Sequence, residues 1–221
     1  SIYRIHANYS LGWSLFEIQD YNQALKYFRE VLDTYPNQNL ALDASFKIAE
    51  CLYYLKDYTK LKEFLNSYQK QYPKDSQRSP YILFYMAEAD YYLTDYPSAI
   101  EEYLKAIKST QDDKLQALSK LGLTWSYLKL DKYNEAESLI LDVKAEHLEK
   151  KNLEALKLAK GILYNQTKRF NEAIKVYDDL LNSQPQDSAL IQAYIGKAES
   201  LYSLSSCLLY TSPSPRDRQK S

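Results

Sequence analysis

The sequence predicts an all-α fold built from repeated antiparallel pairs of helices, and three observations lead to this prediction. Helix breakers are scarce, with only 4 Gly and 7 Pro in 221 residues. Small and apolar residues recur at intervals of 37 or 38 residues. A short polar turn divides each interval, and a connection this short joins antiparallel neighbours. Internal repeats of this length are typical of helical solenoids.

The second helix of each repeat opens on an aromatic residue. These residues are Tyr21, Tyr58, Tyr96, Tyr133 and Phe170. Small or apolar residues follow at offsets of three, seven and ten, such as Ala24, Phe28 and Val31 in the first repeat. These offsets place the side chains on one face of a helix, which we expect to be buried.

The first helix of each repeat carries a small residue nine positions before the opening aromatic residue. The series is Gly12, Ala49, Ala87, Thr124 and Gly161, and Ala198 continues it. A small side chain lets a neighbouring helix approach closely, so we expect these positions to be buried where helices cross.

Proline residues after the second helices, at Pro36, Pro73 and Pro185, set the ends of three repeats, because proline cannot continue a helix. We expect helix pairs over 3–34, 39–71, 78–109, 113–147 and 151–183, and a single further helix over 187–204. The corresponding repeats span about 5–41, 42–79, 80–116, 117–153 and 154–190, with a partial sixth over 191–206. The array as a whole is predicted to occupy 1–206.

This pattern resembles the tetratricopeptide repeat (TPR) family. In the first repeat the consensus offsets are filled by Leu11, Gly12, Tyr21, Ala24, Phe28 and Pro36. In the fifth they are filled by Gly161, Tyr164, Phe170, Ala173, Tyr177 and Pro185. The resemblance implies a right-handed α–α superhelix, a TPR solenoid of five helix pairs plus one further helix. The period is longer than the 34 residues usual for the family.

The C-terminal segment departs from the repeat pattern. Residues 207–217 resemble the translation of a transposase-type sequencing adapter. We therefore expect 207–221 to be a non-native, disordered tail, and both ends of the sequence to be artificial, since it also begins at Ser1 without Met. The sequence is accordingly interpreted as a fragment of a longer protein.

Composition and motifs argue against several classes of function. The net charge is −1, which does not favour nucleic acid as a partner, and no apolar run reaches the length of a membrane span. Catalytic and nucleotide-binding motifs are absent, and the two histidines, His6 and His147, lie far apart in the array. Cys51 occupies a small packing position. We predict a protein that is not an enzyme and has no cofactor and no metal site.

The surface that remains is the groove lined by the first helices. The family resemblance implies that the residue after the small position, and the residue four later, face this concave groove. The predicted partner-binding residues are Trp13, Glu17, Glu50, Tyr54, Glu88, Tyr92 and Trp125. Aromatic rings interleaved with carboxylates suit a partner with apolar and basic groups, although the rings could equally cover the core between repeats.

The sequence therefore predicts a scaffold that binds a protein or peptide in the concave groove. The Tyr-Pro repeat ends and the Tyr-rich helices resemble bacterial cell-envelope TPR proteins, which implies the periplasm or cell envelope, with the cytoplasm as the alternative, and a role in envelope assembly. A second reading is that the array is the docking or sensory region of a larger enzyme or regulator. The flanking sequence would discriminate between these two hypotheses.

Overall fold

The computed structural model of the protein describes residues 2–36, 38–73 and 75–211. This part of the chain is almost entirely α-helical and contains no β-strand. It divides into two compact halves, an N-terminal half over Ser1–Ser109 and a C-terminal half over Thr110–Ser221. The all-α prediction is confirmed.

Six helices form the described part of the N-terminal half. They are α1 (Ile2–Glu17), α2 (Tyr21–Thr34), α3 (Asn39–Tyr54), α4 (Tyr58–Gln71), α5 (Ser79–Tyr92) and α6 (Tyr96–Ser109). Each helix packs on the next, and the first helices α1, α3 and α5 also contact one another in sequence. The pairs 3–34, 39–71 and 78–109 are confirmed almost to the residue.

Five α-helices form the described part of the C-terminal half. They are α7 (Asp113–Lys129), α8 (Tyr133–Asp142), α9 (Lys150–Gln166), α10 (Phe170–Asn182) and α11 (Asp187–Thr211). The predicted second helix of the fourth repeat stops early, and a short 3₁₀ turn at Ala145–His147 follows it. Val143 is extended there, and both Val143 and Leu148 reach a cluster with Leu121. Burial of these two side chains accounts for the break.

The turn inside each of the five described helix pairs has one conformation. The residue two positions before each second helix has a positive φ, as at Lys56 (58°) and Thr94 (67°). In the first three repeats an aspartate follows, and Asp20, Asp57 and Asp95 accept a hydrogen bond from the backbone of the new helix. These aspartates satisfy donors that the helix start leaves without a partner.

The small residues of the first helices lie at helix crossings, as predicted. Gly12, Ala49, Ala87, Thr124 and Gly161 are all buried. A Cβ atom added at Gly12 would lie 2.9 Å from the Phe28 ring, and one at Gly161 only 2.5 Å from the Tyr177 ring. Close approach of the second helix therefore requires a small side chain at these positions.

The prediction that Ala198 is buried is wrong, because its side chain is exposed. Gly12 packs against the second helix of its own repeat, and Ala198 holds the equivalent position in α11. The described residues contain no second helix after α11. The last helix instead packs backwards through Ala193, Gly196 and Ser200, with Gly196 against Tyr177.

The last helix also extends beyond its expected end near 204, to Thr211. Residues 207–211 are therefore helical where a disordered tail was predicted. No proline interrupts the helix before Pro213, and the residue before a proline is the first that disfavours helical geometry. The remainder of the predicted tail, 212–221, lies outside the described residues.

Candidate protein-binding face

Trp13 lies on α1 with 40% of its surface exposed. The Lys47 ammonium lies over its ring, 4.1 Å from the centroid, and 4.5 Å from the centroid of Phe16. A cation over the faces of two rings is attracted by their electron density. One face of Trp13 is thus engaged by α3, while much of the ring remains accessible.

Tyr54 and Tyr92 end the first helices α3 and α5, and each stacks on a tyrosine from the preceding repeat. Tyr54 lies parallel to Tyr21 with centroids 4.8 Å apart. Tyr92 lies parallel to Tyr58 with centroids 4.3 Å apart. Even so, 49% of Tyr54 and 47% of Tyr92 are exposed. The stacking holds both rings in place at the surface.

Neighbouring rings connect these three predicted residues within the N-terminal half. Trp13 lies 6.4 Å from Phe16, and Phe16 lies 5.8 Å from Tyr54. Tyr53 then lies 5.6 Å from Tyr54 and 6.2 Å from Tyr92. We call these five residues the aromatic stripe. Sequence spacing predicted Trp13, Tyr54 and Tyr92 for it, but not the linking rings Phe16 and Tyr53.

The three predicted glutamates have different environments. Glu17 is exposed. Glu50 is partly buried, pairs with Lys47 at 2.6 Å and accepts a hydrogen bond from the Tyr85 hydroxyl at 3.2 Å. Its charge is therefore compensated inside the protein, which the sequence pattern did not reveal.

Glu88 is only partly exposed and accepts hydrogen bonds from the hydroxyls of Tyr103 and Tyr53. Burial raises the pKa of the Glu88 carboxyl, and the two hydrogen bonds oppose this effect by stabilising the charged form. The carboxylate is thus held by tyrosines of α6 and α3 rather than lying open on the surface.

Trp125, the seventh predicted residue, lies on α7 of the C-terminal half and is only partly exposed. Its ring packs against clusters that include Leu121, Leu128 and Leu158. The contacts that connect Trp13, Tyr54 and Tyr92 are all within the N-terminal half. Trp125 contributes to the hydrophobic packing of its own half, and its role in binding stays a prediction.

The described residues contain neither a reactive thiol at Cys51 nor a cluster of metal-ligating side chains. Burial raises the pKa of the Cys51 thiol to about 12, so the reactive thiolate is scarce at neutral pH. No group of three or more His, Cys, Asp or Glu side chains in the described part of the chain could hold a metal ion. Among the helices described, none is both long enough and apolar enough to span a membrane.

Comparison with family models identifies tetratricopeptide repeats in both halves. Residues 6–37 and 43–75 match one tetratricopeptide repeat model, and residues 155–187 match a second. These segments coincide with the first, second and fifth helix pairs. No curated protein sequence matches the chain.

Solved structures with a similar fold include several bacterial proteins. A tetratricopeptide repeat protein from Parabacteroides merdae is 15% identical, with a TM-score of 0.64 over 95% of this chain and 81% of that one. A thermophilic TPR protein from Thermus thermophilus is 20% identical, with a TM-score of 0.62 over 90% and 99%. The pilF protein of Pseudomonas aeruginosa is 17% identical, with a TM-score of 0.65 over 98% and 96%. At these identities the likeness establishes the fold alone.

Arrays of this kind present extended surfaces for protein–protein interaction and are typically scaffolds rather than enzymes. The repeat period, the helix pairs, the family models and the structural neighbours agree. The chain therefore contains tetratricopeptide repeats in its first, second and fifth helix pairs and has the all-α fold of a TPR array.

Proposed function

We propose that the protein is a non-enzymatic scaffold that binds a peptide or an extended segment of a partner protein along the aromatic stripe. The observation that carries the proposal is the exposure of Trp13, Tyr54 and Tyr92, each between 40% and 49%, on one connected set of rings. Rigid, partly exposed aromatic side chains are the residues that most often dominate binding energy at interfaces.

The stripe suits a ligand with apolar anchors. Stacking of Tyr54 on Tyr21 and of Tyr92 on Tyr58 fixes these rings before any partner arrives, so little side-chain entropy is lost on binding. An extended peptide must itself be ordered on docking, which limits its affinity. We expect a Kd in the micromolar range, which corresponds to about −8 kcal/mol.

Alanine substitution tests this proposal. Peptides selected from a displayed random library against the full chain should bind the Trp13→Ala and Tyr92→Ala variants about tenfold more weakly or worse. Leu104→Ala is the matched control, because Leu104 is 37% exposed on α6, a second helix of the same half. Circular dichroism checks that each variant is folded. Peptides whose affinity is indifferent to both aromatic substitutions would refute the stripe as the binding face.

The cell envelope is proposed as the compartment, with a role in envelope assembly. The support is the resemblance in sequence style noted above, in particular the Tyr-Pro repeat ends at Pro36 and Pro73. Fractionation of cells that express the complete open reading frame with an epitope tag tests this directly. Recovery in the periplasm or membrane fraction is expected, and recovery in the cytosol attached to a catalytic or DNA-binding domain would instead support a docking region of an enzyme or regulator.

A further inference from the structure

The junction between the first two repeats contains an internal cation site. Lys47 of α3 lies over the rings of Trp13 and Phe16 on α1, at 4.1 and 4.5 Å, and its ammonium pairs with Glu50 at 2.6 Å. Two aromatic faces and one carboxylate thus surround a single positive charge. This arrangement combines a cation–π contact with a charge-assisted hydrogen bond.

The next junction has the same positions but different residues. One repeat further on, Trp13 is replaced by Glu50, Phe16 by Tyr53, Lys47 by Tyr85 and Glu50 by Glu88. The Tyr85 ring lies 5.8 Å from the Tyr53 ring, and its hydroxyl donates a hydrogen bond to Glu50. An aromatic ring therefore stands where the preceding junction has its lysine, and this position of the second junction carries no cation.

Glu88 is the carboxylate that this replacement leaves without a positive partner. It forms no ion pair with any residue that the structure describes; its partners are the hydroxyls of Tyr103 and Tyr53. A carboxylate offers about four lone-pair positions, so two hydrogen bonds do not exhaust it. Partial burial without a compensating charge is costly, and an incoming cation would offset part of that cost.

The surroundings of Glu88 also suit a cation that arrives from outside. Tyr53 lies within 6.2 Å of Tyr92 and of Tyr58, and Tyr92 is 47% exposed. Glu88 itself keeps some exposure to solvent. The cluster thus lies at the end of the aromatic stripe, where a long side chain from a bound segment could lay its apolar stem along the tyrosines.

We propose that Glu88, together with Tyr53, Tyr85 and Tyr92, forms a pocket for the ammonium or guanidinium group of a Lys or Arg side chain on the partner protein. This inference rests on the proposed function, because it assigns the basic group of a ligand that binds along the stripe. The partner's basic side chain would supply the positive charge that the preceding junction obtains from Lys47.

The first test compares charge-matched variants of the full chain. Peptides selected from the random library against the wild-type protein should share a Lys or Arg, and Glu88→Gln should weaken their binding about tenfold or more. Glu63→Gln is the control, because Glu63 is exposed on α4 and its substitution removes the same charge. Replacing the shared basic residue of a peptide by norleucine should weaken binding to the wild type and have little effect on binding to Glu88→Gln.

A second variant gives the second junction the lysine that the first junction has at the equivalent position. Tyr85→Lys places a lysine at the position equivalent to Lys47, where it should pair with Glu88 and occupy the pocket. Binding of the basic peptides should fall about tenfold, while the norleucine peptides should bind as before. Circular dichroism and the melting temperature establish that both variants remain folded.

The results that would contradict the pocket differ from those that would contradict the proposed scaffold function. Selection of peptides without a shared basic residue, or equal effects of Glu88→Gln and Glu63→Gln, would overturn the pocket and leave the scaffold proposal standing. A library that yields no binding peptide would overturn both. Binding of free spermidine or arginine that competes with no peptide would also contradict the pocket as a site for a partner's side chain.

Discussion

At the scale of single residues, Glu102 on α6 is the clearest source of instability in the N-terminal half. One of its carboxyl oxygens is buried and accepts no hydrogen bond from the residues described. The pKa of Glu102 is raised from 4.5 to about 7, mainly by burial and also by the nearby Asp90 carboxylate, against the opposing effect of Lys105 and Lys62. The charged form of Glu102 therefore destabilises the folded protein at neutral pH.

Glu102→Gln should make the protein more stable at pH 8 and leave its stability at pH 4 nearly unchanged. Because the folded-state pKa of Glu102 is raised, the folded protein binds more protons than the unfolded chain between about pH 4.5 and 7, and its stability falls as the pH rises through that window. The neutral amide removes this loss, which we expect to be about 1–3 kcal/mol in the free energy of unfolding. Urea unfolding at the two pH values measures it.

The neighbouring Glu101 provides the control for this prediction. Glu101 is exposed and lies 3.7 Å from Lys105. Glu101→Gln should change the free energy of unfolding by less than about 0.5 kcal/mol at either pH. A pH dependence that survives in Glu102→Gln but disappears in Glu101→Gln would show that burial of Glu102 is not its cause.

Gly161 tests the close packing of helices in the C-terminal half. A methyl group there would lie 2.5 Å from the ring of Tyr177, which is 1% exposed and has little freedom to move. Gly161→Ala should therefore lower the free energy of unfolding by about 1–3 kcal/mol, although alanine favours helix more than glycine does. Chemical denaturation measures the change. Gly122→Ala on α7 is the comparison, and an equal or larger loss there would contradict the special role of the Gly161 crossing.

Residue roles that follow from the period could be predicted from the sequence, whereas roles that depend on neighbours across repeats could not. The opening residues Tyr21 and Tyr58 begin α2 and α4 as predicted. Their stacking on Tyr54 and Tyr92 involves residues more than thirty positions away, and no local pattern encodes it. The same holds for Lys47, whose contact with Trp13 depends on the packing of α3 against α1.

At the scale of elements, the turn between paired helices carries backbone strain. Thr94 has φ of 67°, a conformation that costs a non-glycine residue about 1–2 kcal/mol. Threonine is β-branched, so a positive φ is less favourable at Thr94 than at Gln19 or Lys168 in the equivalent turns. The next residue, Asp95, then caps α6 through the backbone of Ser98. The turn is thus strained at Thr94, and Asp95 stabilises the start of the next helix.

Thr94→Gly should stabilise the protein by about 0.5–1 kcal/mol. Glycine adopts a positive φ without steric cost, and the entropy it adds to the unfolded chain offsets only part of that gain. Thr94→Ala should gain much less, because alanine keeps the Cβ atom that causes the strain. Thermal unfolding of the two variants and the wild type distinguishes these effects. Equal stability of Thr94→Gly and Thr94→Ala would show that the turn is not strained at this residue.

Most helix boundaries could be predicted because prolines lie at the ends of the repeats. Pro36 and Pro73 follow α2 and α4 closely. The two discrepancies occur where no proline marks the end of a helix. The fourth repeat has no terminal proline, and burial of Val143 and Leu148 determines where α8 ends. The last helix meets no proline before 213 and continues to Thr211.

At the scale of the whole molecule, the same repeat is used for different purposes along the chain. The position after the small residue holds Trp13 and Glu88 in the N-terminal half, and both lie at the candidate binding face. In the C-terminal half the equivalent Trp125 contributes to hydrophobic packing. Periodicity predicts which positions correspond, but it does not predict which copies are used for packing and which for recognition.

The central claim is that the aromatic stripe of the N-terminal half receives a protein segment, and the structure of the full chain with a selected peptide tests it most directly. We predict that the peptide contacts Trp13, Tyr54 and Tyr92, with a Lys or Arg side chain beside Glu88. A peptide bound instead against the second helices α2, α4 and α6, with the stripe still open to solvent, would contradict this account.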